Sequence, residues 1–148
     1  MKYYPVYLDV RGKPCTVVGG GSVAERKIRS LLDAGARVTV ISPSLTPRLR
    51  AYSAAGALTW HNRSYAEGDV AGAFLVVAAT DDADVNRHVA RVCRDRNVLV
   101  NVAVPPEESS FIVPSVVERG KLTIAVSTGG ASPALAKRIR RELEERYG

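Results

Sequence analysis

The chain has 148 residues, 46% of them hydrophobic and 24% charged, which suits one core or a nucleotide domain with a small appendage and excludes a long multidomain enzyme. Its formal net charge of +6 invites a nucleic-acid reading, yet no interleaved aromatics, zinc-finger spacing or recognition-helix signature accompany it, so a polyanionic small molecule is the better-matched partner. No apolar run approaches a membrane span and Met1-Lys2-Tyr3-Tyr4-Pro5 lacks a secretory hydrophobic stretch, so the expectation is a cytoplasmic protein without a membrane partner.

The first informative segment, Cys15 to Lys27, reads C-T-V-V-G-G-G-S-V-A-E-R-K. An apolar run with strand character over 15–18 enters a glycine triplet and opens directly into a helix expected over 22–34. Gly19-x-Gly21-x-x-Ala24 fits the dinucleotide fingerprint, with helix N–H groups free to face a pyrophosphate. A glycine-rich turn that binds nothing has the same glycine pattern. The context favours binding: Val23, Ala24, Ile28, Leu31 and Leu32 recur at helical spacing, Ser22 and Glu25 have the spacing of a capping box, and Gly35 provides a left-handed stop. Gly19, Gly20 and Gly21 are therefore candidate cofactor residues, serving the tight turn, the approach to phosphate and helix–strand packing.

A second strand over 37–41 ends in Ser42-Pro43-Ser44, where an acidic residue would usually take the ribose hydroxyls. Hydroxyl and backbone groups of Ser42 and Ser44 are the available substitutes, while Arg48 and Arg50 keep NADP open beside NAD. Thr46-Pro47 opens a helix over 46–55 that Gly56 ends. A strand at 57–61, a short turn or helix at 65–71 and a strand at 74–79 follow. Asp81 or Asp82 then caps a helix over 82–96 whose apolar face is Val85, Val89, Val92 and Cys93, and a strand over 98–103 closes the series. This alternation implies a Rossmann-like α/β fold over residues 1–104, a parallel sheet with helices on both faces. Cys15 and Cys93 are far apart and read as small core residues. His61 and His88 are isolated, and no metal-ligand spacing occurs.

After residue 104 the character changes. Pro105-Pro106-Glu107-Glu108-Ser109-Ser110 is an acidic connection, and the runs Phe111–Val117 and Leu122–Val126 flank the turn Glu118-Arg119-Gly120-Lys121 as a hairpin. Gly129-Gly130 then leads through Ser132-Pro133 into a final helix reaching Tyr147. Residues 105–148 bury too little surface to stand alone and are expected to pack on the first domain or on a partner subunit. Lys137, Arg138, Arg140 and Arg141 fill the first half of that helix and Glu142, Glu144 and Glu145 the second, against the helix dipole. A bound anion and a solvated face with i,i+4 pairing both account for that order.

Taken together, Tyr4–Asp9, Val17–Lys27, Ala34–Thr39, Ala78–Asp82, Asn101-Val102, Phe111–Pro114 and Ser127–Ala136 resemble, in order over nearly the whole chain, precorrin-2 dehydrogenase, the oxidase and chelatase module of siroheme synthase. The resemblance implies NAD-dependent oxidation of precorrin-2 to sirohydrochlorin, in some members followed by ferrous iron insertion, and a homodimer. It implies cofactor contacts at Ser22 and Val23, ribose contacts at Pro43 and Ser44, and Ala79-Thr80 beside the nicotinamide half. Asn101, Ser127, Thr128 and Gly129, with Gly130 in the same turn, would border the carboxylate-fringed tetrapyrrole.

The family also continues beyond the final helix here. It carries an aspartate, thought to be the acid–base group of both reactions, where this chain has Val104. Valine accepts no proton, so the catalytic group is left unassigned, with water or Glu107 as acceptors, and chelatase activity loses its support. Two rival readings remain: a bifunctional dehydrogenase and ferrochelatase, and a dimeric NAD-sensing module without chemistry.

Overall fold

The computed structural model describes residues 1–148, which divide into two compact units, Tyr7–Phe111 and Met1–Val6 with Ile112–Gly148. In the larger unit, apolar stretches rich in Val, Ile and Leu become the strands β1 (Pro14–Val18), β2 (Arg37–Ile41), β4 (Leu75–Ala78) and β5 (Leu99–Val102), and the short Thr-Trp-His segment at the sheet edge becomes β3 (Thr59–His61). The segments between them become the amphipathic α1 (Ser22–Asp33), the shorter α2 (Pro47–Ala54), which buries Leu49, and the amphipathic α3 (Ala83–Asp95). All strand pairs are parallel and the order is β3-β2-β1-β4-β5, a Rossmann-like sheet whose direction of winding reverses between β1 and β4.

Alternation along each strand divides the core into two layers. Val17, Val38, Val40 and Val77 pack with Ile28 of α1 and Leu49 of α2 on one face. Val18, Val76, Val100 and Val102 pack with Val89, Val92 and Cys93 of α3 on the other. Each fully buried Val or Ile side chain contributes roughly 1.5–3 kcal/mol of transfer free energy. Burial also pushes the Cys93 thiol up to about 11 and raises that of Cys15, so both sulfurs are inert core atoms. Thr46 caps α2 by accepting from the Leu49 N–H at 3.2 Å, and Asp82 caps α3 by accepting from Asp84 at 2.9 Å.

Three departures from the sequence expectation have local causes. β3 is only three residues long; Trp60 anchors it by donating from Nε1 to the Ser42 carbonyl at 2.8 Å. The first hairpin strand runs over Ser115–Arg119, later than expected, because Pro114 has no N–H to donate and Phe111 packs into the core of the sheet unit. The unit boundary falls after Phe111, where the expectation was residue 104. Ser109 and Ser110 cover the free edge of β5: their hydroxyls accept from the N–H groups of Val102 at 2.7 Å and Val100 at 2.9 Å, which ties 105–111 to the sheet.

In the smaller unit β6 (Ser115–Arg119) and β7 (Leu122–Val126) pair antiparallel around Gly120-Lys121, with Gly120 at φ 57°. The helix α4 (Pro133–Tyr147) packs on both strands, with Val117 and Ala136 buried. On α4, Arg138 pairs with Glu142 and Arg140 with Glu144, so part of the basic cluster follows the i,i+4 reading; Lys137 and Arg141 form no ion pair. No helix is long and apolar enough to cross a membrane.

Asp69 supplies a test of the sheet unit's loops. Its side chain, 9% exposed, accepts from both Arg63 nitrogens and from the Ala66 N–H at 2.7 Å, and the Arg63 bonds hold its carboxyl below the usual range. Since the native pKa lies below the unfolded one, the stabilisation is complete above the unfolded value of about 4 and is lost as pH falls through the native value. Asp69→Asn is expected to cost about 1–2 kcal/mol near neutral pH and progressively less as pH falls below the unfolded value of about 4, read from urea unfolding midpoints.

Candidate functional site

The crevice outside the carboxyl ends of β1 and β4 is where an open α/β sheet receives a ligand, and four loops converge there. The turn after β1 is held by backbone bonds from Gly19 N to Ile41 O at 3.0 Å and from Thr46 N to Gly20 O at 3.0 Å. A Cβ on Gly19, at φ 124°, would strike the Ala79 carbonyl, and one on Gly20 would strike the Ser44 carbonyl and lie 2.8 Å from Ser42 Oγ. Gly21 differs: a Cβ there meets nothing within 4 Å. The first two glycines answer to neighbouring backbone, whereas the third keeps open the ground in front of α1.

That helix end carries no side-chain cap. Gly21 is the N-cap residue, at φ −89°, and Ser22 is already helical. The expected capping box of Ser22 and Glu25 does not form, because the Glu25 carboxylate accepts from Thr46 Oγ1 at 2.7 Å and is drawn to the α2 side. The leading amides of α1 are thus left for an anion, with the macrodipole adding to their attraction. Val23, 42% exposed, stands beside them instead of joining Ala24 and Ile28 in the core. Lys27, one turn further on, is half-buried, and burial lowers its pKa.

At the end of β2 the two serines have different roles. Ser42 is buried and fully engaged: its hydroxyl donates to the Ser44 carbonyl at 2.7 Å, its N–H to His61 O at 3.2 Å, and its carbonyl accepts from Trp60. Pro43 and Ser44 are exposed. At the end of β4, the Ala79 N–H donates to Val18 O at 2.8 Å, and half-buried Thr80 turns the chain toward α3. At the end of β5, Asn101 is 6% exposed and donates to the Phe111 carbonyl at 3.1 Å, while its Oδ1 has no partner. Val104 follows, 58% exposed.

Asn86 escaped the sequence reading. It lies on α3, fully buried, and its amide bridges Thr80 to the Val104 carbonyl. The available signal was a polar residue in phase with Val89, Ala90 and Cys93 on a face that is otherwise apolar.

Of the remaining candidates, Ser127, Thr128, Gly129 and Gly130 lie in the smaller unit. There Thr128 Oγ1 accepts from Ser132 N at 2.8 Å, the Gly129 N–H donates to Ser127 Oγ at 3.0 Å, and the Tyr3 ring approaches Gly129. His61 is exposed at the end of β3, and His88 stacks edge-on against Tyr65. No group of three or more His, Cys, Asp or Glu side chains has the geometry to hold a metal ion. A surface cavity of about 430 Å³ lined by Leu32, Gly35, Ala36 and Tyr52 sits at the amino ends of the strands, the wrong end of the sheet for this site.

A family model described as putative NAD(P)-binding matches residues 6–115, and one described as the central part of a sirohaem biosynthesis protein matches residues 119–146. A solved structure of SirC, a precorrin-2 dehydrogenase, superposes with a TM-score of 0.88 at 37% identity, covering 99% of this chain and 72% of that one. This chain belongs to the precorrin-2 dehydrogenase family. Siroheme synthases of Thioalkalivibrio sulfidiphilus and Escherichia coli O1:K1 are 46% and 42% identical over 97% of the chain. The chain spans 29% and 32% of their respective lengths.

Open space at Gly21 in front of the uncapped amides of α1 suits the diphosphate of a dinucleotide, in a chain matched by an NAD(P)-binding family model. Gly21→Asp fills that room with a side chain the backbone accepts. It is expected to leave the melting temperature nearly unchanged and to weaken dinucleotide binding by about a hundredfold or more, measured by calorimetry. Gly20→Ala, by contrast, is expected to destabilise the fold.

Proposed function

We propose that the protein oxidises precorrin-2 to sirohydrochlorin with NAD as hydride acceptor. The observation that carries the reading is the uncapped start of α1 behind a glycine with free space in front of it, at the switch point of the sheet and within this family. NAD is taken as the acceptor from the family resemblance, and the exposed Arg48 and Arg50 of α2 keep NADP as the alternative. Gly19 and Gly20 shape the turn, and the amides of Ser22 and Val23 hold the diphosphate. The exposed Ser44 hydroxyl, with Pro43, meets the ribose, while Ser42 holds the loop from below. Ala79 and Thr80 take the nicotinamide half.

The bound dinucleotide supplies the acceptor for the pair of electrons that leaves the macrocycle with one hydrogen; the second hydrogen leaves as a proton. Val104 offers no side-chain acceptor for that proton and its carbonyl is occupied by Asn86, so water or the exposed Glu107 carboxylate takes it. Turnover then lacks the factor of roughly 10²–10⁴ that a placed general base contributes. Ser127, Thr128, Gly129 and Gly130 form the substrate-facing turn, assisted by Lys137 and Arg141 as cations for the carboxylate fringe. Asn101, at the end of β5, is held to Phe111 and serves the substrate from the larger unit. The smaller unit serves as the dimer interface, and the buried thiols suit a reducing cytoplasm.

The assay is anaerobic incubation with precorrin-2 and NAD, following nicotinamide reduction together with the sirohydrochlorin spectrum. Both signals are expected to grow in step. Dinucleotide binding with neither signal would return the sensing reading. Val104→Asp is expected to raise kcat by about tenfold or more; no acceleration would place proton removal elsewhere.

A further inference from the structure

The side chain of Asn86 shows no surface to solvent, yet it uses its full hydrogen-bonding capacity. Its Oδ1 accepts from the Thr80 N–H at 3.2 Å and lies 2.6 Å from the Thr80 hydroxyl. Its Nδ2 donates to the Thr80 carbonyl at 3.1 Å and to the Val104 carbonyl at 2.8 Å. One side chain from α3 therefore joins the chain leaving β4 to the chain leaving β5. Helical phase puts this position among Val89, Ala90 and Cys93, where an aliphatic side chain would avoid the cost of burying an amide. An asparagine is useful here only for what it holds.

We propose that Asn86 is a positioning residue that locks the Thr80 turn to the Val104 turn and so preforms the floor under the nicotinamide half of the dinucleotide. The assignment to that half follows from topology. A dinucleotide straddles the switch point, with its diphosphate at α1 and one ribose over the end of β2, so the other end lies over β4 and β5. Asn86 makes its side-chain hydrogen bonds to Thr80 and Val104, with none to the glycine turn or the Ser42–Ser44 loop. Its effect is confined to one half of the ligand, which a general loss of stability would not reproduce.

The proposal rests on the dinucleotide reading, and the test separates the two. NAD and ADP are titrated calorimetrically into the full chain, its Asn86→Ala variant and its Asn86→Asp variant; ADP carries the adenosine and diphosphate without the nicotinamide riboside. The aspartate keeps the size and acceptor atoms of asparagine and is read alone if alanine unfolds the protein. Affinity for NAD is expected to fall about tenfold or more, and affinity for ADP to stay within about twofold. Equal losses for the two ligands, or none, overturn the proposal. If the unmodified protein binds neither ligand, the dinucleotide reading itself fails. Amide exchange at Thr80 gives a readout without substitution: NAD is expected to slow it and ADP to leave it unchanged. Equal slowing by both, or by neither, contradicts the clamp.

Discussion

The end of β1 runs so close to the ends of β4 and β2 that no side chain fits between the backbones. A Cβ on Gly19 would press into the Ala79 carbonyl and one on Gly20 into the Ser44 carbonyl. That steric condition brings three loops together at the switch point and makes α1 begin immediately, before any side chain capable of capping has appeared. Two glycines cost conformational entropy and add no packing. In return the sheet acquires an open helix end at the one place where its topology leaves a crevice.

Side chains outside the turn keep that end open and its surroundings fixed. Glu25 has the spacing to reach back and cap α1, but Thr46 takes its carboxylate and the leading amides stay free. Ser42 closes its own loop through the Ser44 carbonyl, and Trp60 holds it from the edge strand. Asn86 does the corresponding work on the far side of the switch point. Binding to such a site requires little reordering of loops, which is the usual source of affinity in preformed pockets. The chemistry at residue 104 is a separate matter: the valine there is exposed and offers no proton acceptor.

Most of the architecture was legible because its signals are periodic and local. The apolar runs of β1, β2 and β4, the Thr46-Pro47 start of α2 and the Asp82 cap all lie where residue spacing puts them. Interactions between distant segments were hidden. Nothing in one dimension shows that Thr46 competes with α1 for Glu25, that Ser109 and Ser110 finish the edge of β5, or that Ser42 faces inward while Ser44 faces out. The boundary after Phe111 and the late start of β6 follow from such contacts. Asn86 was missed for a related reason: a polar residue on a helix reads as solvent-facing unless its phase is compared with that of its apolar neighbours.

The most direct test is a crystal structure of the protein with its dinucleotide. Electron density for the diphosphate is expected against Gly21, Ser22 and Val23, with its oxygens within hydrogen-bonding distance of the free amides. Density for the dinucleotide elsewhere, with that helix start bare, would contradict the assignment of the site and everything built on it.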